Sequence, residues 1–358
     1  MLKKSLKATV LRLTPAAFLA VALVASAAPA AVAAGSWSTP TPVYEASSMQ
    51  SPGYAYAPSA IAGTTERSFV CHSRAAGDVR DDVFLVKRTG STVTSSASVL
   101  TASASGWDSF HICDPSVVRV DATLSGQSYD YAMFYLGNDQ NCSCHNQIGV
   151  AYANSLDGPW VKAPNPVVGF KVGASSSEWG VGQPSATTID AAAGTVLLTW
   201  TEGYSTGTVA KLGQVSLLSG TPTLSGVGAV PTAGLLDSSG AADFLNNFDI
   251  AYSPQRDRFY LVREMHPYPS TSPNYISTAV QVLSISGAGM WSGTGTWAAE
   301  GLIDASATGA SRSHNPGFLR TQFGTLPDES QLTVFVTTAS LDPNSLWSYA
   351  IVRTTASL

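Results

Sequence analysis

The stretch SFHICDPSVVRV, residues 109–120, places an aspartate and a proline at the mouth of an apolar, valine-rich run. Both residues are unfavourable in strands, yet similar openings recur along the chain. They are YAPSAI from residue 56, CDPSVV from 113, GQPSAT from 182, NFDIAY from 247 and HNPGFL from 314. Aligned on Pro58, Pro115, Pro184, Ile250 and Pro316, they follow at steps of 57, 69, 66 and 66 residues. This regular spacing indicates five structural repeats.

Two further β-like runs, rich in aromatic and β-branched residues, follow each opening. In the second repeat they are YDYAMFYLGND and QIGVAYANS, and turn residues separate them. Helical periodicity is almost absent after residue 34. A period of about 65 residues predicts an all-β fold: a five-bladed β-propeller with four antiparallel strands per blade. A generic β-sandwich is the plainer alternative.

The two ends of the chain predict how the propeller closes. The fifth repeat stops one strand short, whereas SWSTPTPVYEAS, residues 36–47, is similar to the fourth strands of other repeats, such as TWAAEGLIDAS. We therefore expect the N-terminal strand to complete the last blade. This would cover a sheet edge that is otherwise exposed.

The first 34 residues have the pattern of a secretory signal peptide. A basic start precedes an apolar, alanine-rich middle and a small-residue end, which predicts cleavage after Ala33 or Ala34. Residues 35–358 then form a single propeller domain, secreted to the extracellular space or periplasm. No later run of about 18 apolar residues exists, so we expect no membrane span.

Charge narrows the range of partners. The chain has 19 Lys and Arg and 24 Asp and Glu. Without the four basic residues of the signal peptide, 15 basic residues remain, and the net charge is −9. A nucleic-acid partner is not expected, because phosphate contacts need clustered Lys and Arg. We expect a monomer.

Four cysteines, Cys71, Cys113, Cys142 and Cys144, predict two disulfides in an oxidising compartment. A zinc site is the alternative, but the CSC sequence lacks the usual spacer. A bridge within CSC would close a very tight ring. We therefore expect Cys142 and Cys144 to pair with Cys71 and Cys113, in either order.

The first strands of a propeller line its central channel, so the residues before the aligned positions should ring one mouth. They are Ala57, Asp114, Gln183, Asp249 and Asn315. Loops between second and third strands overhang the same mouth and hold His72, Arg74, Asp81, Asp82, His145, Glu202, Glu264 and His266. Together with His111 and His314, this places all five histidines of the chain on the same face. They predict a polar pocket or a metal near the axis.

The second repeat also carries a family resemblance. Its sequence CDPSVVR…YAMFYLGND…NQIGVAYANSLDGPW is similar to a recurring motif of the five-bladed β-propeller glycoside hydrolases. These are the arabinanase and xylosidase group (family 43) and the related invertase and levanase group. The resemblance covers the mature chain as architecture, and mainly residues 111–162 as a motif. It implies hydrolysis of arabinose-, xylose- or fructose-type glycosides. It also implies a structural calcium near His314, although no cofactor can be assigned from the residues.

The resemblance implies three carboxylates: a base or nucleophile on blade one, an orienting Asp on blade two and an acid Glu on blade three. Asp114 matches the second, but Ala57 stands at the first position and Gln183 at the third. The candidate catalytic residues are therefore Asp114, Asp249, Glu202, Glu264 and Glu178. The candidate substrate-binding residues are His72, Arg74, His111, His145, Gln183, His266, His314, Asn315 and Trp179.

The missing carboxylate of blade one leaves two alternatives open. One is a carbohydrate-binding propeller without catalytic activity. The other is a different propeller enzyme, a lyase or a sialidase-like hydrolase. A sialidase would need an arginine triad for its substrate's carboxylate, and Arg74, Arg263 and Arg312 are candidates. The Asp-box repeat of sialidases is not present in several blades.

Overall fold

A computed structural model describes residues 35–340 and 345–358. The predicted signal peptide, residues 1–34, lies outside the described residues. In the described part of the chain, no helix is long and apolar enough to cross a membrane.

The described residues are organised as β-strands with two short helices. The strands are β1 (Thr41–Tyr44), β2 (Ala55–Ile61), β3 (Glu66–Ser73), β4 (Asp81–Thr89), β5 (Thr92–Leu100), β6 (His111–Leu124), β7 (Gln127–Asn138), β8 (Gln147–Ala153), β9 (Val161–Lys162), β10 (Gly180–Asp190), β11 (Thr195–Tyr204), β12 (Gly207–Ser216), β13 (Thr223–Ala229), β14 (Phe248–Ser253), β15 (Arg258–Glu264), β16 (Val280–Ser286), β17 (Ala298–Ile303), β18 (Arg312–Arg320), β19 (Gln331–Ala339) and β20 (Ala350–Ser357). The helices are α1 (Gly287–Ser292) and α2 (Ala305–Thr308), and two 3₁₀ turns span Ala46–Ser48 and Ser345–Ser348.

Consecutive strands build four-stranded antiparallel sheets. Three sheets contain β6–β9, β10–β13 and β14–β17, and a larger sheet has the order β1-β20-β19-β18-β2-β3-β4-β5. In the larger sheet β18 and β2 run parallel and share two residue pairs, Leu319 with Ala60 and Arg320 with Ile61. Four antiparallel strands flank this junction on each side. Sheets of this kind fit a β-propeller, so the all-β prediction and the four-stranded units are confirmed.

The N-terminal strand pairs where the sequence predicts. β1 adds antiparallel to β20, with Thr41 opposite Arg353 and Tyr44 opposite Ile351. Neighbouring sheets then pack face to face through apolar side chains. For example, Phe134 and Val150 share one buried cluster with Trp200 of the next sheet. These contacts remove the sheet faces from water.

The first strands share a bend at the repeated motif. In β2, β6, β10 and β18 the pairing register shifts at this point. The residues at the bend have left-handed backbones, with φ of 49° at Ala57, 46° at Asp114, 54° at Gln183 and 40° at Asn315. A bulge bends a strand and redirects its side chain. The proline that follows is tolerated because no ladder hydrogen bond needs its missing N–H. This explains how Asp114 and Pro115 are accommodated within a strand.

The fourth repeat differs from the sequence alignment. Asn247, with φ of 44°, takes the bend position immediately before β14. Asp249, predicted there, lies two residues further along. The alignment slipped because NFDIAY has no proline to mark the bend, and Phe248 stands in its place.

Two residues beyond each bend, side chains link the first strands in succession. Ser59 Oγ accepts the Val117 N–H at 3.4 Å and Ser116 Oγ accepts the Ala186 N–H at 3.0 Å. The next two links have the same form: Ser185 Oγ with the Ile250 N–H at 3.1 Å, and Asp249 with the Phe318 N–H at 2.8 Å. At the fifth position a Cβ on Gly317 would lie 2.1 Å from the Pro58 carbonyl oxygen. Glycine therefore allows β18 to approach β2 directly.

The disulfide pairing differs from our expectation. Two disulfides are present, but Cys71 bonds Cys113 and Cys142 bonds Cys144. Cys71 of β3 and Cys113 of β6 lie side by side, with Cα atoms 4.9 Å apart, a normal disulfide span. The expected pairing of the CSC cysteines with Cys71 and Cys113 is therefore wrong.

Phe335 tests the packing across the junction of the larger sheet. Its side chain is fully buried among Val43 and Ile351 on one side and Val70 and Val86 on the other. We expect Phe335→Ala to lower the free energy of unfolding by about 3–5 kcal/mol, because it leaves a cavity. Chemical denaturation measures this change.

The control for this prediction is Gln331→Ala, an exposed position on the same strand. We expect it to change the free energy of unfolding by no more than about 0.5 kcal/mol. Equal effects of the two substitutions would contradict the packing described.

Candidate active site

A cavity of about 520 Å³ lies above the bends of the first strands. Aromatic and amide side chains dominate its wall. The aromatic ones are Tyr56, Trp179, Tyr268, Tyr275 and Tyr349, and the amides are Asn138, Asn146, Gln183, Asn246, Asn247 and Asn315. Two carboxyl groups, Asp81 and Asp114, face into the same space.

Asp114 reaches the cavity from the bend of β6. Its own N–H donates to Cys71 Sγ at 2.9 Å, so the Cys71–Cys113 disulfide packs against its backbone. Burial raises the pKa of Asp114 to about 7, although a hydrogen bond from the Gln183 N–H acts in the opposite direction. Asp114 is therefore a carboxyl group that can hold a proton at neutral pH.

Asp81 is the first residue of β4 and is the carboxylate that our candidate list omitted. It accepts hydrogen bonds from the hydroxyls of Tyr54 and Tyr56, the latter at 2.9 Å. Burial, with a smaller contribution from the charge of Asp114, raises the pKa of Asp81 to about 7, although the hydrogen bonds from Tyr54 and Tyr56 act in the opposite direction. The sequence signal was present, because Asp81 lies in the loop expected to overhang the mouth.

Glu264, the last residue of β15, is a third buried carboxyl group beside the cavity wall. It accepts hydrogen bonds from Tyr268 Oη and Asn247 Nδ2, both at 2.8 Å, and from the Asn315 N–H at 3.0 Å. Burial raises the pKa of Glu264 to about 7, and the charge of Asp114 contributes. Its predicted place on this face agrees with the structure.

The charge of Asp114 raises the pKa of both Asp81 and Glu264, so the titrations of the three carboxyl groups are coupled. Like charges in a desolvated site oppose full ionisation. Near pH 7 the cluster therefore holds part of its protons, and its apparent pKa values belong to the group as a whole.

Two of the five histidines line the cavity. His111 Nδ1 accepts the Asp81 N–H at 3.0 Å, which leaves Nε2 to carry the proton. His314 packs against the rings of Tyr56 and Tyr349. Burial lowers the pKa of both His111 and His314 to about 4, so each is neutral at pH 7.

The other three histidines do not line the cavity. His72 is buried and stacks on Phe84, with ring centroids 3.9 Å apart. His145 Nδ1 contacts Asp139 at 2.7 Å, and His266 Nδ1 contacts Asp243 at 2.9 Å. The prediction that all five histidines lie on one face therefore did not place all five in one cavity.

Several other predicted site residues also lie away from the cavity wall. Glu202 accepts a hydrogen bond from Trp200 Nε1 at 3.1 Å, and Glu178 accepts one from the Ser205 N–H at 2.6 Å. Arg74 pairs with Asp82 at 3.0 Å. By contrast, Gln183, Asn315 and Trp179 line the cavity as predicted. Asn247 was missed because the alignment slipped by two residues.

Asp249 lies deeper in the channel than expected. Its carboxylate accepts a hydrogen bond from Ser185 Oγ at 2.6 Å and pairs with Arg320 Nη1 at 3.2 Å. The Asp249 carboxylate and the Arg320 guanidinium lie below the bends of the first strands, whereas the larger cavity lies above these bends. Asp249 faces a much smaller space of about 40 Å³.

The described residues do not fit the calcium ion that the resemblance implies. Within residues 35–340 and 345–358, one group of three His, Cys, Asp or Glu residues comes close enough to hold a metal: Cys71, Cys113 and Asp114. Both cysteines are in a disulfide, so no thiolate is available. His314 Nε2 is buried and lacks a hydrogen-bond partner in the described part of the chain, but calcium prefers oxygen ligands. Two side-chain amide oxygens at the bends of the first strands, Gln183 Oε1 and Asn247 Oδ1, already accept hydrogen bonds.

Known proteins resemble this chain in structure but not in sequence. No family model matches the sequence, and no curated protein matches it. Zg3597, a family 117 glycoside hydrolase of the marine bacterium Zobellia galactanivorans, superposes with a TM-score of 0.58 at 11% identity, over 90% of each chain. The GH43_1 enzyme from Xanthomonas citri complexed with xylotriose gives 0.56 at 15% identity, over 89% of this chain and 90% of that one.

A third glycoside hydrolase shares the fold. The α-L-arabinofuranosidase PaAbf62A from Podospora anserina, in complex with cellotriose, has a TM-score of 0.58 at 9% identity. The match covers 90% of this chain and 97% of that one. The resemblance to β-propeller glycoside hydrolases is thus confirmed at the level of the fold.

The raised pKa of Asp114 predicts how stability depends on pH. A carboxyl group with a raised folded-state pKa contributes stability below its unfolded value, near 3.8, and loses it as pH rises through about 7. An asparagine side chain at this position would stay neutral, and asparagine tolerates a left-handed backbone. We expect Asp114→Asn to match the wild type near pH 4 and to exceed its Tm by at least about 2 °C at pH 8.

Thermal unfolding from pH 4 to pH 8 measures this difference. The control is Asp130→Asn, which removes an exposed carboxylate from β7. A Tm difference for Asp114→Asn that stays constant over this range would show that the Asp114 carboxyl ionises as freely as in the unfolded chain.

Proposed function

We propose that this protein is a secreted, monomeric glycoside hydrolase on a five-bladed β-propeller formed by residues 35–358. Its substrates are arabinose-, xylose- or fructose-type glycosides in polysaccharides or oligosaccharides. The observation that carries the proposal is the pair of cavity carboxyl groups, Asp81 and Asp114, whose pKa values are raised to about 7. The fold shared with glycoside hydrolases supports it.

Five four-stranded units support the five-blade count. Three are separate sheets, and the larger sheet supplies two more on either side of its parallel junction. The successive links from Ser59 to Asp249 connect the first strands of these units in chain order. The signal peptide and secretion rest on the sequence of residues 1–34, and the disulfides are consistent with an oxidising compartment.

The first unit supplies its carboxyl group from a different strand than the resemblance implies. Ala57, at the bend of β2, packs against the Cys71–Cys113 disulfide. Asp81 belongs to the same unit but stands at the start of β4. In our proposal Asp81 therefore takes the place of the absent blade-one aspartate.

Hydrogen bonding and burial support different roles for the two carboxyl groups. Glycoside hydrolysis needs one group that protonates the leaving oxygen and another that activates water or attacks the sugar. Two tyrosine hydroxyls donate to Asp81 and favour its ionised form. Asp114 receives one backbone N–H, and its burial favours the protonated form. In this scheme Asp81 is the base or nucleophile and Asp114 is the general acid.

The cavity wall suits an uncharged sugar. Amides can bond hydroxyl groups, and aromatic rings such as Trp179 can cover the apolar face of a sugar. Among the described residues that line the cavity, none is Arg or Lys. Of the arginines considered for a sialidase-like site, Arg263 bonds Gln281 at 2.8 Å and Arg312 bonds the Thr271 carbonyl at 3.1 Å. These contacts favour neutral substrates over uronates or sialic acids.

Substitution of the two carboxyl groups tests the proposal. We expect Asp81→Asn and Asp114→Asn each to lower kcat/KM by about 10²–10⁴-fold, the usual contribution of acid–base catalysis. Hydrolysis of aryl arabinofuranosides, xylosides and fructosides is the measurement. The control is Glu202→Gln, which removes a carboxylate outside the cavity wall and should leave the rate unchanged.

Two outcomes would reject the assignment. Full activity in both cavity variants would place catalysis elsewhere. If the wild type hydrolyses none of these glycosides yet binds their oligosaccharides, the protein is a carbohydrate-binding propeller, the alternative that Ala57 favours.

The shared pKa near 7 also predicts the pH profile. Activity requires Asp81 to be ionised, so the rate decreases when the pH is below the pKa of Asp81. It also requires Asp114 to be protonated, so the rate decreases when the pH is above the pKa of Asp114. We expect a bell-shaped dependence of kcat/KM with its maximum near neutrality. A maximum near pH 4 with little activity at pH 7 would contradict the assignment.

A further inference from the structure

We propose that the Arg320 guanidinium is the resident cation of the central channel, and that it makes a bound metal ion unnecessary for the stability of this fold. Arg320 is the last residue of β18, and only 1% of its surface is exposed. It lies outside the cavity and takes no part in the proposed catalysis. A fully buried charge requires a specific arrangement of partners.

Four other first strands supply those partners. Arg320 Nη2 donates to Ser59 Oγ at 3.2 Å and to Ser116 Oγ at 3.1 Å. Its Nη1 donates to the carbonyl oxygens of Ala186 and Ile250, both at 3.1 Å. One planar, positively charged group thus connects β18 with β2, β6, β10 and β14.

The charge of the channel is balanced within the chain. Asp249 lies 3.2 Å from Arg320 Nη1, so one carboxylate meets one guanidinium. A divalent ion placed beside them would add positive charge without an additional carboxylate ligand. Gly317 leaves the fifth position of the ring without a side chain, and Arg320 from the same strand extends into the channel instead.

The first experiment uses the wild-type protein. We expect metal analysis of the purified protein to give far less than one equivalent of calcium, and excess EDTA to leave its Tm unchanged. Stoichiometric calcium, with a Tm that falls on chelation and returns when calcium is added, would overturn the proposal.

The second experiment removes the guanidinium in two ways. Arg320→Ala leaves a space beside the unpaired Asp249, whereas Arg320→Met fills much of that space without a charge. We expect the Tm of each variant to fall by about 5–10 °C, because one partner of a buried pair is lost. A Tm within about 1 °C of the wild type for both variants would overturn the proposal.

Chemical rescue separates the role of the cation from simple packing. Millimolar guanidinium should raise the Tm of Arg320→Ala, but not that of Arg320→Met or the wild type, and equal sodium chloride should have no such effect. Absence of rescue in Arg320→Ala, or equal rescue in both variants, would count against a specific guanidinium site. If Arg320→Ala does not fold, the metal content and EDTA response of the wild type decide the question.

Discussion

A ring of hydrogen bonds around the central channel holds the first strands in register. Each link joins a side chain on one strand to a backbone N–H on the next, from Ser59 through Ser116 and Ser185 to Asp249. Arg320 lies inside this ring and bonds all four of these side chains. Because buried polar groups are costly when unpaired, the strands are fixed both in spacing and in rotation.

The ring determines the floor of the cavity. Two residues before each of the four links, and two residues before Gly317 at the fifth position, the strand turns through a left-handed residue; these residues are Ala57, Asp114, Gln183, Asn247 and Asn315. Such backbones are unfavourable outside glycine and persist only where surrounding contacts hold them. Here the Cys71–Cys113 disulfide and the amide contacts of Gln183 with Asn247 supply that support. The orientation of Asp114 is thus a consequence of the fold.

The fold was largely predictable from the sequence, because strand periodicity and turn residues act locally. The repeat spacing indicated the four-stranded units, and the missing fourth strand of the fifth repeat indicated the pairing of β1 with β20. The motif around Asp114 placed that residue at the cavity. The alignment failed at Asn247, where Phe248 replaces the proline that marks the other bends. Local patterns therefore located the strands more reliably than the side chains at their ends.

The remaining site residues depend on contacts between distant segments. Asp81, at the start of β4, acquires its environment from Tyr54 and Tyr56 near the start of β2, although β3 lies between these two strands in the sheet. Glu264 depends in the same way on Asn315, 51 residues away. The disulfide pairing also follows from the neighbouring positions of β3 and β6 in space. No local pattern encodes these distances, so carboxylates with equal sequence signals, such as Glu202 and Glu264, had different outcomes.

The proposed chemistry of the cavity depends on the protons that Asp81, Asp114 and Glu264 share at neutral pH. Carboxyl-carbon NMR of protein labelled at Asp and Glu measures their titration directly, with Asp81→Asn and Asp114→Asn spectra to assign the signals. We expect carboxyl signals that titrate near pH 7, and we expect the titrations of Asp81 and Glu264 to shift to lower pH when Asp114 is replaced. Titration of every carboxyl group below pH 5 would contradict it.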